Sequence, residues 1–254
     1  SLTVEGNIFE PLNAAGQRAF YINPSVVDFT FKGNEVTGNF AGAAISEAQN
    51  NLIEDNTITG TGASAGIGLW GYLDPGLWGT GTIQNNTITG TANAISLYET
   101  EVVTVTQNIL DGNGRGVRVL EVYDTPFDQT TIHINRNSLA GNTTAGIANM
   151  LDQVNYGDID GECNWWGAAD GPGPVGPGSG SPVTADVDFD HWLGSSDLDG
   201  PCPAPPVVMI YVSPNMKNGV VDGVPFDDQD ILVNEMGTSD WEMFFDDSTH
   251  GITK

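Results

Sequence analysis

The 254-residue chain carries 33 Asp and Glu against 7 Lys and Arg, a formal net charge of −26. That balance excludes a nucleic-acid partner and an anionic membrane surface, both of which need a cationic face. It suits calcium, cationic partners or neutral glycans, on a chain long enough for one large domain or one domain with an appendage.

An eight-residue pattern runs along the first two thirds: apolar, two variable residues, Asn, one variable, apolar, one variable, Gly. Its copies are FKGNEVTG (31–38), IEDNTITG (53–60), IQNNTITG (83–90), VTQNILDG (105–112) and INRNSLAG (134–141). The central residues Asn7, Asn34, Asn56, Asn86, Asn108, Asn137 and Asn164 are spaced by 27, 22, 30, 22, 29 and 27 residues. Such periods call for a solenoid. Val, Ile and Thr alternate with polar residues at period 2, and Gly and Asn interrupt any helix, so the units are strands. A second strand follows each Asn: AAIS (43–46), GIGLW (66–70), AISLY (94–98), GVRVL (116–120) and GIAN (146–149). A third leads into it, as in VVDFTF (26–31) and TTIHI (130–134). Three short strands per turn, stacked in parallel, make a parallel β-helix of about seven coils. At a corner Asn adopts the left-handed conformation at low cost, and its amide can donate to one neighbouring coil and accept from the other. The seven Asn are therefore expected to form a structural ladder.

These copies resemble the repeats of secreted right-handed parallel β-helix proteins, the pectate-lyase-like superfamily, over roughly residues 1–195. CNWWGAADGPG (163–173) followed by VDFDHWL (187–193) is similar to the closing coil of bacterial and archaeal surface proteins of this kind. That resemblance implies a secreted or cell-surface protein whose last coil is capped by Trp165, Trp166 and Trp192. Sugar stacking is the alternative role for those rings. Cys163 and Cys202 form no CxxC pair and have no His cluster beside them, which argues against zinc. They allow free thiols, a redox pair or one disulfide, and a disulfide fits a secreted chain.

PCPAPP (201–206) is a stiff linker candidate. Beyond it, 207–254 is expected to be a short acidic β module with strands at 207–213, 230–235 and 241–245. It resembles modules of secreted bacterial proteins that continue further, so the copy looks cut short. No signal peptide or transmembrane run is evident and the chain starts inside a repeat, so the expectation is a trimmed piece of a longer protein.

The outward side of the second strand is the place to look for chemistry. Alternation puts Val117 and Val119 inward and Arg118 outward, with Ser46, Gly68, Ser96 and Ala148 in its row. Beside that row the long insertions collect Trp70, Tyr72, Trp78, Tyr98, Tyr123 and Tyr156, with Glu99, Glu101, Glu121, Asp124 and Asp128. Rings stack on pyranose faces and acids bond hydroxyls, so carbohydrate binding by Trp70, Tyr72, Trp78, Tyr98, Tyr123 and Asp124 is expected. A glycosidase needs two carboxylates about 5–9 Å apart, for which Glu99 and Glu121 are the candidates. A polyuronate lyase needs a base, for which Arg118 with Arg115 stands alone in a negative field. His133, within an expected strand, reads as a packed or surface histidine, and His191 and His250 are isolated. Calcium is the one cofactor the residues allow, at Asp227, Asp228, Asp230, Asp246 and Asp247. Weaker sets are Asp186, Asp188 and Asp190, or Asp197 and Asp199.

The leading expectation is a structural or adhesive scaffold that binds carbohydrate or other surface proteins. A carbohydrate-active enzyme on the aromatic–acidic face is the second. The third is an extracellular polymer subunit self-assembling through its C-terminal strands.

Overall fold

A computed structural model describes residues 1–12, 17–23, 26–62, 65–71, 79–120, 131–151 and 159–202, and the backbone of 219–221 and 224–226. Every regular element among them is a β-strand. The first coil holds β1 (Leu2–Glu5), β2 (Ile8–Leu12) and β3 (Arg18–Ile22); the second holds β4 (Phe29–Lys32), β5 (Glu35–Gly38) and β6 (Gly42–Ser46). The third holds β7 (Asn51–Glu54), β8 (Thr57–Gly60) and β9 (Ala65–Trp70); the fourth, β10 (Gly79–Gln84), β11 (Thr87–Thr89) and β12 (Asn93–Tyr98). In the next two coils the middle strand shrinks to single bridges at Ile109 and Ser138. These lie between β13 (Thr100–Thr106) and β14 (Arg115–Leu120), then between β15 (Thr131–Asn135) and β16 (Ala145–Met150). β17 (Ile159–Asp160), β18 (Gly173–Pro174), β19 (Pro182–Val183) and β20 (Val187–Asp188) finish the stack.

Three parallel sheets result. The first runs β1-β4-β7-β10-β13-β15-β17-β20, the second β2-β5-β8-β11, and the third β3-β6-β9-β12-β14-β16-β19-β18. The protein is thus a parallel β-helix. Apart from shifts between Phe9 and Leu12 in β2 and between Gly79 and Gly81 in β10, register is kept from coil to coil, so like residues stack. Phe31, Ile53, Ile83, Val105 and Ile134 form one fully buried column. Ile67, Ile95, Val117 and Ile147 form another on the third sheet. Each such side chain contributes about 1.5–3 kcal/mol by leaving water.

The ladder runs the length of the stack. The backbone N–H and Nδ2 of Asn86 both donate to Asn108 Oδ1 at 2.9 Å, and Asn108 treats Asn137 Oδ1 the same way at 3.0 and 2.9 Å. The same double contact links Asn7 to Asn34, Asn34 to Asn56, Asn56 to Asn86 and Asn137 to Asn164. The corner itself is turned elsewhere than expected. The left-handed residue is the one before each Asn: Gly6, Gly33, Asp55, Asn85, Gln107, Arg136 and Cys163, with φ of 55–66°. The Asn amide must point into the stack, so the strained conformation falls on its outward neighbour. A second, shorter ladder joins Thr91, Asn113, Asn142 and Ser181: each backbone N–H of the first three donates to the next side-chain oxygen at 2.9–3.0 Å.

At the C-terminal end Trp166 is fully buried against Gly146, where a Cβ would stand 2.7 Å from the indole. Trp192 lies over Gly171 and its Nε1 donates to Ala169 O at 3.1 Å. Trp165 is half-buried. Cys163 and Cys202 are joined in a disulfide across 39 residues, a cross-link whose chain-entropy contribution is at most about 4 kcal/mol. The tail between them is also held by Arg136, whose Nη1 donates to Leu198 O and Gly200 O, and by Gln107, whose Nε2 donates to Asp199 Oδ1.

The chain divides into Ser1–Cys202 and Pro203–Lys254. In the second unit β21 (Gly219–Val221) and β22 (Val224–Phe226) pair antiparallel. This hairpin was not among the expected strands, and 207–213, 230–235 and 241–245 lie outside the described residues.

Candidate functional site

The strands of the third sheet differ in charge from everything around them. β3, β6, β9, β12, β14 and β16 contain Arg18, Arg115 and Arg118 and no Asp or Glu. The first sheet carries Glu5, Glu54, Glu101, Asp160 and Asp188 against Lys32. In a chain of net charge −26, the third sheet is the place where an acceptor-rich ligand meets least repulsion.

Pairing of Gly68 with Ser96, Ser96 with Arg118 and Arg118 with Ala148 makes one outward row. The expected fifth member, Ser46, is misplaced. It pairs with Leu69 and faces inward, where its hydroxyl donates to Asn51 Oδ1. Ile45 takes the outward position, pairing with Gly68, and is still only 2% exposed. A Cβ on Gly42 or Gly68 would stand 2.6–2.7 Å from Ile45 Cδ1, so the two glycines make the groove that holds it.

Trp70 and Tyr98 follow at the ends of β9 and β12, paired in register. Their rings meet edge-on, with centroids 5.3 Å apart. The guanidinium of Arg18 lies 5.0 Å from the Tyr21 ring and 5.3 Å from Trp70; that of Arg118 lies 5.8 Å from Tyr98. Arg118 Nη1 also reaches Tyr98 Oη at 3.4 Å. These contacts make a continuous aromatic–cationic stripe across β3, β9, β12 and β14, in which each guanidinium is held over a π face.

Two of the carboxylates expected to join the rings, Glu99 and Glu101, are placed away from them. Glu99 sits at the corner after β12 with φ of 49° and is 6% exposed, so it does not open into a groove. Glu101 belongs to β13 on the first sheet. Glu121, Asp124, Tyr72, Trp78, Tyr123, Asp128 and Tyr156 lie outside the described residues.

The acidic face is the first sheet near its C-terminal end. His133, Asp160 and Asp188 are in register there. His133 Nδ1 lies 2.6 Å from Asp160 Oδ2, and Asn135 Nδ2 donates to Asp160 Oδ1. His191 Nδ1 lies 3.0 Å from Glu162 Oε1, so His191 is not isolated as expected; His250 lies outside the described residues. Desolvation first, then repulsion from Glu162, Asp190 and Asp160, raises the Asp188 carboxyl above its usual range against a backbone hydrogen bond from Asp190. A carboxyl whose folded pKa is raised loses stability for the fold as it ionises. The strain is therefore present at neutral pH and relieved as pH falls through the folded pKa. Asp188→Asn is expected to raise the thermal midpoint at pH 7, by less than about 1 kcal/mol for so exposed a group. The gain should disappear below about pH 4. Melts at both pH values check it; a lower midpoint for the variant at pH 7 contradicts it.

Calcium finds no support here. Among the described residues no three His, Cys, Asp or Glu gather in a way that could hold a metal. Asp186, Asp188 and Asp190 do not share a strand face, because β20 is only Val187–Asp188 and Asp186 has φ of 62°. Asp197 and Asp199 are engaged in the tail, where Asp197 caps Asp199 N–H and Asp199 accepts from Gln107. Asp227, Asp228, Asp230, Asp246 and Asp247 lie outside the described residues.

A family model described as periplasmic copper-binding protein (NosD) matches residues 2–163, well over half of the chain. No curated protein and no solved structure matches it.

Proposed function

Because the chain belongs to the NosD family of periplasmic β-helix proteins, we propose that it is an extracytoplasmic scaffold that holds carbohydrate against the third sheet. The disulfide suits an oxidising compartment of that kind. Copper, which the family description names, does not fit the described residues. Copper sites are built from clustered His, Cys or Met. Both cysteines are spent in the disulfide. His133 and His191 are each paired to a carboxylate, and among the described residues no three His, Cys, Asp or Glu gather to hold a metal.

The observation that carries the carbohydrate reading is the stripe of Tyr21, Arg18, Trp70, Tyr98 and Arg118 on a sheet whose long strands lack acids. Aromatic faces offer sugar-sized apolar platforms, and the guanidinium groups bond ring hydroxyls. A glycan array probed with the whole chain should return ligands. Tyr98→Ala should then weaken binding roughly tenfold, a loss of about 1.4 kcal/mol. A blank array, or affinity indifferent to Tyr98 and Trp70, overturns the proposal.

A further inference from the structure

Three buried polar atoms on this face have no hydrogen-bond partner among the described residues: Trp70 Nε1, Ser96 Oγ and Arg118 Nε. Their positions are adjacent. Gly68, Ser96 and Arg118 are direct cross-strand partners, and Trp70 Nε1 comes back over Gly68, 2.9 Å from where its Cβ would be. With neighbouring strands about 4.8 Å apart, the three fall within about 10 Å. Ser96 is fully buried, while Trp70, Tyr98 and Arg118 above it are half-buried.

A buried unpaired polar group costs about 1–3 kcal/mol, so folded proteins seldom keep one without a use. An indole N–H and a guanidinium Nε–H can only donate, and a serine hydroxyl can donate too. The missing partner is therefore an acceptor with several oxygens. The local charge agrees, since Arg18, Arg115 and Arg118 lie on this sheet and its long strands hold no acid.

We propose that Trp70, Ser96 and Arg118 form an oxyanion-binding site, taking a carboxylate or sulfate group between β9, β12 and β14. The group reaches Ser96 by displacing the half-buried side chains above it. Its source is either a free small anion or an anionic substituent of the glycan; the second rests on the carbohydrate reading above.

Calorimetry and tryptophan fluorescence on the whole chain test this with sodium sulfate, sodium acetate, a sulfated or carboxylated oligosaccharide and its neutral counterpart, all against chloride at equal ionic strength. Saturable binding of at least one anionic probe is expected, weakened tenfold or more in Arg118→Gln and several-fold in Ser96→Ala. Ser96→Ala should leave the thermal midpoint of the free protein unchanged or higher, because the hydroxyl it removes has no partner; a merely structural serine would lower it. Inorganic sulfate or acetate binding as tightly as the charged oligosaccharide identifies the free anion as the ligand, and preference for the oligosaccharide identifies the glycan. No saturable binding of any anionic probe over chloride, or full binding by a folded Arg118→Gln, overturns the oxyanion site. Neutral glycan binding in that case leaves the carbohydrate reading standing, whereas anion binding with a blank array overturns that reading alone.

Discussion

Asn108→Ala should lower the unfolding free energy by about 3–5 kcal/mol, the cost of leaving two or so buried polar groups without partners. Asn108 is fully buried in mid-ladder. Its Oδ1 is the acceptor for both the backbone N–H and the Nδ2 of Asn86, and its own Nδ2 donates to Ile83 O, Thr106 O and Asn137 Oδ1. Alanine strands the Asn86 N–H outright, since Asn86 is itself fully buried, and Ile83 O loses a donor. The same substitution at Asn7 supplies the comparison. Asn7 is exposed and begins the ladder, donating to Asn34 without receiving from an earlier rung among the described residues. It should cost less than about 1 kcal/mol. Urea unfolding of both variants reads the difference, and equal losses at the two positions would show that burial of the ladder is not what stabilises the stack.

Trp166→Ala should cost about 3–5 kcal/mol, the range for emptying a buried aromatic site. Trp166 is fully buried at the C-terminal end of the core. Gly146 and Leu139 pack on or near the ring: added Cβ atoms at Gly146 would stand 2.7 Å from Trp166 Cζ3 and 3.2 Å from Leu139 Cβ. The backbone around it is fixed by Ser181 N–H donating to Trp166 O and Leu139 N–H donating to Trp165 O, so the cavity cannot easily collapse. Trp166→Phe is the informative partner. The indole Nε1 has no hydrogen-bond partner among the described residues, so phenylalanine gives up volume but no bond and should recover most of the loss. If Phe were as damaging as Ala, the indole nitrogen would be contributing a bond after all. Thermal midpoints separate the cases, with about 10 °C expected for the alanine variant.

Which parts of this could be foreseen follows from what repeats. A ladder Asn recurs in every coil because a short side-chain amide offers an oxygen that accepts two bonds from one neighbour and an NH2 that donates both along the stack and to backbone carbonyls, as Asn108 does. The identity therefore recurs at 22–30-residue intervals and is visible. The corner residue before it faces outward, so Gly, Asp, Asn, Gln, Arg and Cys all serve and no pattern marks it. The second ladder mixes Thr91, Asn113, Asn142 and Ser181, because its rungs need an acceptor oxygen and little else. Its trace was the position five residues after Asn86, Asn108 and Asn137.

The misplacement of Ser46 has a similar cause. Hydrophobic alternation assigns an isoleucine to the core, but Ile45 is outward and buried only because Gly42 and Gly68 on its own and the adjoining strand leave room. Burial by a neighbour across the sheet leaves no mark on the local pattern.

By itself, then, the sequence determined the β-helix, its coil count and the ladder. Those features are set by identities that repeat along the chain and act on the next coil in the same way each time. Only the tertiary structure decided where a ligand could sit. That depends on what packs over the row of Gly68, Ser96 and Arg118, a row that alternation already indicates: the fold turned Trp70 Nε1 back over Gly68 and left the donors of Trp70, Ser96 and Arg118 without acceptors among the described residues. Such packing joins side chains from strands 22–28 positions apart, and no single stretch of sequence contains it.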